Sequence, residues 1–160
     1  MNLLGNIIGE VCKTLFPIPE EIYFGNSKSP IGICVLSSIP LLKQITNSEL
    51  MKNISIVGRL FSENKGIDSI IRYTNSNLNL HTIILCGKEG AGHKPGFSLL
   101  ALYKNGMDNN GRIINSSSPE PYLTVTQNEV EKFRNKVRII NKIGIIDFKK
   151  ISNLVQTIQN

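Results

Sequence analysis

The apolar residues of the chain form short runs that predict buried strands. Continuous apolar, β-branched runs occupy residues 31 to 36, 54 to 57 and 81 to 85, and small residues follow each of them. Such runs are typical of strands that are buried within a sheet. Residues 112 to 114 and 138 to 140 are weaker strand candidates.

Helices are predicted between these strands. Apolar residues at helical spacing indicate helices over residues 39 to 45, 67 to 73 and 97 to 105. The pair Thr126 and Glu129 forms a capping box that opens a further helix, and Asp147 is the predicted cap of a last helix that runs to residue 159. This alternation indicates one α/β domain over residues 1–160, a Rossmann-like, three-layer fold with a mostly parallel sheet.

The central stretch of the chain, residues 81 to 106, is predicted to form a strand, a glycine-rich loop and a helix. This order places ligands at the C-terminal edge of an α/β sheet, and glycines allow the backbone to approach a large ligand closely. The loop contains Gly87, Gly90, Gly92, His93, Lys94 and Gly96.

His93 is the candidate for metal chemistry in this loop. A neutral imidazole can bind a metal ion, although a lone loop histidine is more often simply solvated. The chain contains neither GxGxxG nor GxxxxGK[ST], and no second ligand lies at zinc spacing from His93. If His93 binds a metal, it is therefore one axial ligand of an ion held mainly by something else, such as a macrocycle.

Polar residues follow the other predicted strands as well. Ser37 and Ser38 follow the first strand, residues 62 to 66 follow the second, and Ser116 and Ser117 lie in a later irregular loop. The ends of parallel strands share one edge, so these residues are predicted to surround the same site as His93. Ser38 also has the alternative role of N-cap for the first helix.

Composition narrows the functional classes. The net charge is +6, but the lysines are scattered and only 6% of residues are aromatic, which argues against nucleic-acid binding. A basic surface would suit a cofactor that carries phosphate. The three cysteines, Cys12, Cys34 and Cys86, form no CxxC pair and predict a reduced, cytoplasmic protein. No apolar run is long enough to span a membrane.

At the level of motifs, the chain resembles the A subunit of tetrahydromethanopterin S-methyltransferase, a corrinoid-binding family. The resemblance covers about residues 25 to 145 and leaves residues 1–24 as an N-terminal segment. The matching stretches are VLSS (35 to 38), SENKGID (62 to 68), LCGKEGAGHKPGFSLLALYKNGMDNNGRII (85 to 114), PYL (121 to 123) and EVEKFRNKV (129 to 137).

The resemblance implies a cobamide (cobalamin-type) cofactor with His93 as the lower ligand of its cobalt. It implies a methyl carrier between a methylated donor, such as methyl-tetrahydromethanopterin, and a thiol acceptor, such as coenzyme M. A pterin-binding methyltransferase subunit would be its partner, and we expect no activity from this chain alone. The implied cofactor contacts are Ser37, Ser38, Ser62, Asn64, Gly66, Gly87, Glu89, Gly90, Gly92, His93, Lys94, Gly96, Ser98, Ser116, Ser117 and Pro121.

The chain departs from the family pattern in several places. Phe97 stands where the family usually has Gln, and residues 115 to 118 are polar where the family has Gly and Ala. Ala91 stands two residues before His93, where other corrinoid proteins have Asp, so Glu89 is the predicted carboxylate partner of the imidazole. The chain lacks the membrane helix of the family, which predicts a soluble homologue. The alternative is a small-molecule or nucleotide-binding α/β module without cobalt chemistry.

Overall fold

The computed structural model describes residues 21–160 and contains a five-stranded sheet in the order β1-β3-β2-β4-β5. β2, β3, β4 and β5 are mutually parallel, and only β1 runs antiparallel to its neighbour, β3. The predicted α/β fold with a mostly parallel sheet is confirmed. The strands are β1 (Ile22–Phe24), β2 (Ile31–Cys34), β3 (Ile56–Gly58), β4 (Thr82–Gly87) and β5 (Arg138–Ile143).

Helices cover both faces of this sheet. They are α1 (Ile39–Thr46), a 3₁₀-helix (Glu49–Lys52), α2 (Lys65–Ser76), α3 (Pro95–Asn105), α4 (Gln127–Lys136) and α5 (Phe148–Gln159). Apolar residues of α1 and α5 pack in the core on one face, and those of α2, α3 and α4 pack in the core on the other. The result is a three-layer arrangement compatible with a Rossmann-like fold.

The central strands supply side chains to both cores, as strand alternation requires. In β4, Ile83 and Leu85 point toward α2, α3 and α4, while Ile84 and Cys86 point toward α1 and α5. Each such buried apolar side chain stabilises the fold by roughly 1.5–3 kcal/mol. Because β4 is buried along both faces, its sequence is a continuous apolar run without alternation.

Several predicted boundaries differ from the structure. The first strand ends at Cys34 because the backbone turns at Leu36, whose φ is +49°. Residues 112 to 114 form only isolated bridges, since no neighbouring strand is available within residues 21–160 to extend them. The caps at Thr126 and Asp147 are confirmed. Ser38 occupies the N-cap position of α1, but its side chain makes no cap hydrogen bond.

Cys34 and Cys86 are buried, as predicted for core thiols. Burial raises the pKa of the Cys34 thiol to about 12, so it stays protonated at neutral pH. Burial likewise raises the pKa of Cys86. The predictions for Cys12 and for the N-terminal segment fall on residues 1 to 20, outside the described residues.

The sheet has a topological switch point between β2 and β4. The chain leaves β2 toward β3 on one side, whereas it leaves β4 toward β5 on the other. The loops that follow β2 and β4 therefore diverge, and ligands of open α/β sheets bind in the crevice between such loops. Within residues 21–160, none of the helices is long and apolar enough to cross a membrane.

Candidate functional site

The loop after β4, residues 88 to 94, carries the central histidine and is called the histidine loop below. It begins after Gly87, whose φ is +85°; a Cβ there would lie 2.1 Å from the carbonyl oxygen of Val35. Only glycine fits this position. The close approach lets the end of β2 contact the start of the histidine loop.

Ser37 and Ser38 fasten the two loops together. The Ser37 hydroxyl donates to the Lys88 carbonyl oxygen at 2.6 Å, and the Lys88 N–H donates to the Ser38 hydroxyl at 2.7 Å. Ser38 is therefore used between the loops and does not cap α1, and its predicted capping role was wrong. Both serines lie beside the histidine loop, as their position after a parallel strand predicted.

His93 is held by a carboxylate from a different loop. Its Nδ1 lies 3.0 Å from Oε2 and 3.2 Å from Oε1 of Glu63. The His93 side chain is 64% exposed, whereas that of Glu63 is 1% exposed. Glu63 also accepts the N–H of Glu120 at 3.0 Å. The buried Glu63 thus joins the histidine loop to the segment that follows α3.

The prediction that Glu89 is the carboxylate partner of His93 was wrong. Glu89 accepts backbone N–H groups at the start of α3, from Gly96 at 3.2 Å and from Phe97 at 2.8 Å. It also accepts the N–H of Gly90 at 2.8 Å. A carboxylate is favourable at a helix N-terminus because the free N–H groups there carry partial positive charge. The N-cap residue, Lys94, offers no side-chain cap, so Glu89 takes that role.

The start of α2 is fastened to the segment of residues 120 to 125. The side-chain amide of Asn64 donates to the Glu120 carbonyl oxygen at 3.3 Å. One turn further, the buried Asp68 accepts the N–H and the hydroxyl of Thr124 and the N–H of Val125, at distances between 2.7 and 3.2 Å. These contacts hold the backbone that carries the Glu120 N–H against α2.

Three buried serines form a second connection. Ser98 Oγ lies 2.6 Å from Ser116 Oγ and 2.5 Å from Ser118 Oγ. Ser118 Oγ donates to the Lys94 carbonyl oxygen at 3.3 Å. The hydroxyl protons can therefore run in one direction, from Ser116 to Ser98 to Ser118 to Lys94, which leaves no hydroxyl without an acceptor. The cluster ties the C-terminal end of the histidine loop to residues 116 to 118.

The structure brings some predicted site residues together and separates others. Ser62 and Gly66 bond to each other across the first turn of α2, and both line an apolar cavity of about 240 Å³ between that helix and strands β1 to β3. Ser117 is exposed, and Pro121 is buried. The residues around the histidine loop are Ser37, Ser38, Asn64, Gly87, Glu89, Gly90, Gly92, Lys94, Gly96, Ser98 and Ser116.

The sequence analysis missed Glu63, Asp68 and Ser118. Glu63 and Asp68 lie inside the SENKGID motif, but their partners are 30 and 56 residues away in the chain. The motif was therefore a signal that these carboxylates matter, although spacing gave no indication of what they bind. Ser118 is two residues from the predicted Ser116 and turns inward where Ser117 turns outward.

The donor set of the site is small. Among residues 21–160, no group of three or more His, Cys, Asp or Glu side chains is arranged to hold a metal ion. His93 offers one ring nitrogen, Nε2, that Glu63 does not contact. One free imidazole nitrogen on an exposed loop fits an ion whose other ligands come from a macrocycle and does not fit a bare metal centre.

Fold and site together define an α/β domain that presents a carboxylate-held histidine at the switch point of its sheet. The family model for the A subunit of tetrahydromethanopterin S-methyltransferase matches residues 11–160. The chain belongs to this family.

Curated relatives agree with that assignment. The chain is 34% identical over 143 residues to the A subunit of the methyltransferase Mtx of Methanosarcina barkeri, which covers 88% of the chain and 68% of the relative. It is 32% identical over 143 residues to the A subunit of tetrahydromethanopterin S-methyltransferase of Methanocaldococcus jannaschii, covering 89% of the chain and 57% of the relative. It is 33% identical over 144 residues to one of the A subunits of that enzyme from Methanothermobacter thermautotrophicus, covering 88% of the chain and 58% of the relative.

Proposed function

We propose that this chain is a methyl-carrier subunit that binds a cobamide through His93 and works with a partner methyltransferase subunit. The methyl group would pass between a methylated donor, such as methyl-tetrahydromethanopterin, and a thiol acceptor, such as coenzyme M. The observation that carries the proposal is an exposed His93 whose Nδ1 is held by the buried Glu63 and whose Nε2 is not contacted by that carboxylate.

The bound cobamide would supply the methyl-transfer chemistry, because cobalt accepts a methyl group in its reduced state and donates it again. The protein would supply a lower ligand and an open face. Ala91, Gly92 and Lys94 around His93 are all exposed, so a large planar ligand meets no bulky side chain there. The net charge of +6 also favours a cofactor that carries a phosphate.

Family membership supports the proposal because the matched relatives from Methanocaldococcus and Methanothermobacter are named as subunits of a methyltransferase. Being a subunit implies partners. The chain spans between about half and two thirds of the length of the relatives compared above, so the whole activity is proposed for an assembly. We expect no steady methyl transfer from a methylated pterin to a thiol by this chain alone.

The test is a titration of the purified protein with a corrinoid, followed by absorbance. We expect a saturable spectral change as the His93 nitrogen replaces water on cobalt. His93→Ala should give the spectrum of the water-ligated form instead, and His81→Ala, which changes the other exposed histidine, should behave as the unaltered protein. No spectral change at millimolar corrinoid, or an unaltered spectrum in His93→Ala, would contradict the proposal.

A further inference from the structure

We infer that Glu63 is a positioning residue that fixes His93 in the Nδ1–H tautomer and so leaves the lone pair on Nε2. The inference rests on the proposed function only in what Nε2 would bind. The tautomer itself is a property of the protein alone and can be measured without any cofactor.

The first step is the hydrogen-bond inventory of Glu63. An ionised carboxylate can accept hydrogen bonds but cannot donate them. Glu63 lies within 3.2 Å of His93 Nδ1 through both of its oxygens, and one of these, Oε1, also accepts the N–H of Glu120. A favourable contact on the histidine side therefore requires a proton on Nδ1. A neutral imidazole carries a single ring proton, so Nε2 must then be the bare nitrogen.

The second step is the rigidity of the acceptor. Glu63 is 1% exposed, and its backbone neighbour Asn64 is bonded to the Glu120 carbonyl oxygen. The Glu120 segment is in turn held to α2 by Asp68. The carboxylate thus has a fixed orientation, whereas its partner, the His93 ring, is largely exposed. The buried residue determines the state of the exposed one.

The third step shows that a single atom change should reverse the tautomer. In Glu63→Gln, the Glu120 N–H still needs an acceptor, so the amide oxygen should take the Oε1 position that it contacts at 3.0 Å. The amide NH₂ group then takes the Oε2 position, 3.0 Å from Nδ1. An NH₂ group donates, and therefore requires a bare Nδ1 with the proton on Nε2. The variant keeps its shape but has no free lone pair on Nε2.

The experiment is nitrogen-15 NMR of the imidazole rings in the purified protein without cofactor, at an alkaline pH where the rings carry one proton. In the unaltered protein we expect a protonated Nδ1 for His93. His81 is the internal reference, because it is exposed and has no side-chain hydrogen bond in the described part of the chain. Free imidazoles of histidine favour the Nε2–H tautomer, so the two histidines should differ.

Glu63→Gln should convert His93 to the Nε2–H tautomer, and the matched variant Asp68→Asn, also a buried carboxylate of this region, should not. A corrinoid without its own base should then bind Glu63→Gln roughly 10–100-fold more weakly, as expected for loss of the group that orients a metal-binding histidine.

An Nε2–H tautomer in the unaltered protein, or an unchanged tautomer in Glu63→Gln, would overturn the inference. Because the unaltered protein decides the first point, a variant that fails to fold does not leave the question open. A correct tautomer without any corrinoid binding would instead reject the proposed function and leave this inference standing.

Discussion

The starts of α2 and α3 both carry carboxylates at the C-terminal edge of the sheet, but these carboxylates serve opposite purposes. At α3, Glu89 accepts N–H groups of its own loop and helix, at most eight residues away. At α2, Glu63 and Asp68 reach segments 30 to 57 residues away. The first arrangement stabilises a local turn, and the second assembles the site.

This difference explains why α2 is the more important of the two for the geometry around His93. The contacts of Asp68 and Asn64 position the backbone at residues 120 to 125, and that backbone positions Glu63 through the Glu120 N–H. The histidine loop is then the last element added. Variants in the two regions should therefore differ in how much stability they remove and in whether they disturb the histidine.

The largest effect is expected for Asp68→Ala. The substitution leaves two backbone N–H groups and one hydroxyl without their charged acceptor, and hydrogen bonds to charged groups contribute roughly 1.5–3 kcal/mol each. We expect the free energy of unfolding to fall by about 3 kcal/mol, measured by urea denaturation. The control is Ser69→Ala, the exposed neighbour, which should change little. Equal stability of the two variants would show that the α2 contacts are unimportant.

Gly96→Ala tests the packing at the start of α3. A Cβ at residue 96 would lie 2.7 Å from Glu89 Oε2 and 3.0 Å from Leu36. Overpacking of this kind typically costs roughly 1–3 kcal/mol, so we expect a loss of about 2 kcal/mol in the free energy of unfolding.

The matched control for Gly96→Ala is Gly90→Ala, in the same stretch of chain. The nearest atom to a Cβ there is Pro95 Cδ at 3.3 Å, and Gly90 is not among the glycines with positive φ. This variant should be close to neutral in the same denaturation experiment. A loss as large as that of Gly96→Ala would mean that the loop as a whole, and not the contact with Glu89, is intolerant of side chains.

Glu89→Gln should have a smaller effect than either preceding substitution. It removes the charge beside the α3 N-terminus and one of the two acceptor oxygens, which is worth about 1 kcal/mol for an N-terminal cap. It should leave the imidazole nitrogen signals of His93 unchanged, because Glu89 caps the helix and does not contact the ring. Glu120→Gln, an exposed side chain, is the control. A changed tautomer at His93 in Glu89→Gln would restore Glu89 as the partner of the histidine.

The same contrast shows how far sequence alone could predict the site. His93, Ser37, Ser38 and Ser98 follow strands or open a helix within one continuous motif, so periodicity and loop position were sufficient to find them. Proximity in the chain favours Glu89 as the histidine's partner, because it is only four residues away. The true partner, Glu63, lies in another loop, and its approach depends on how α2 crosses to β4, which no local pattern encodes.

The fold was easier to predict than the site for a related reason. Buried parallel strands such as β4 produce apolar runs that are visible without knowledge of their neighbours. The strand ends were less accurate, since they depend on contacts such as the approach of Gly87 to Val35. Residues 112 to 114 also failed as a strand because their partners, Met107, Pro121 and Tyr122, lie in loops.

His93→Ala should have the smallest effect on stability and is the strongest contrast to Asp68→Ala. The side chain is 64% exposed, so little packing is lost, and we expect the free energy of unfolding to change by less than about 0.5 kcal/mol. Glu63 keeps the Glu120 N–H as a partner, and its carboxylate can accept a water molecule where the ring was. His81→Ala is the matched control in the same urea denaturation. A loss of several kcal/mol would mean that the Glu63–His93 pair is part of the fold itself, and a site that is a structural support cannot exchange its histidine freely with a ligand. A near-zero change combined with a changed corrinoid spectrum would instead separate the two functions of this edge: α2 builds it, and His93 is available for binding.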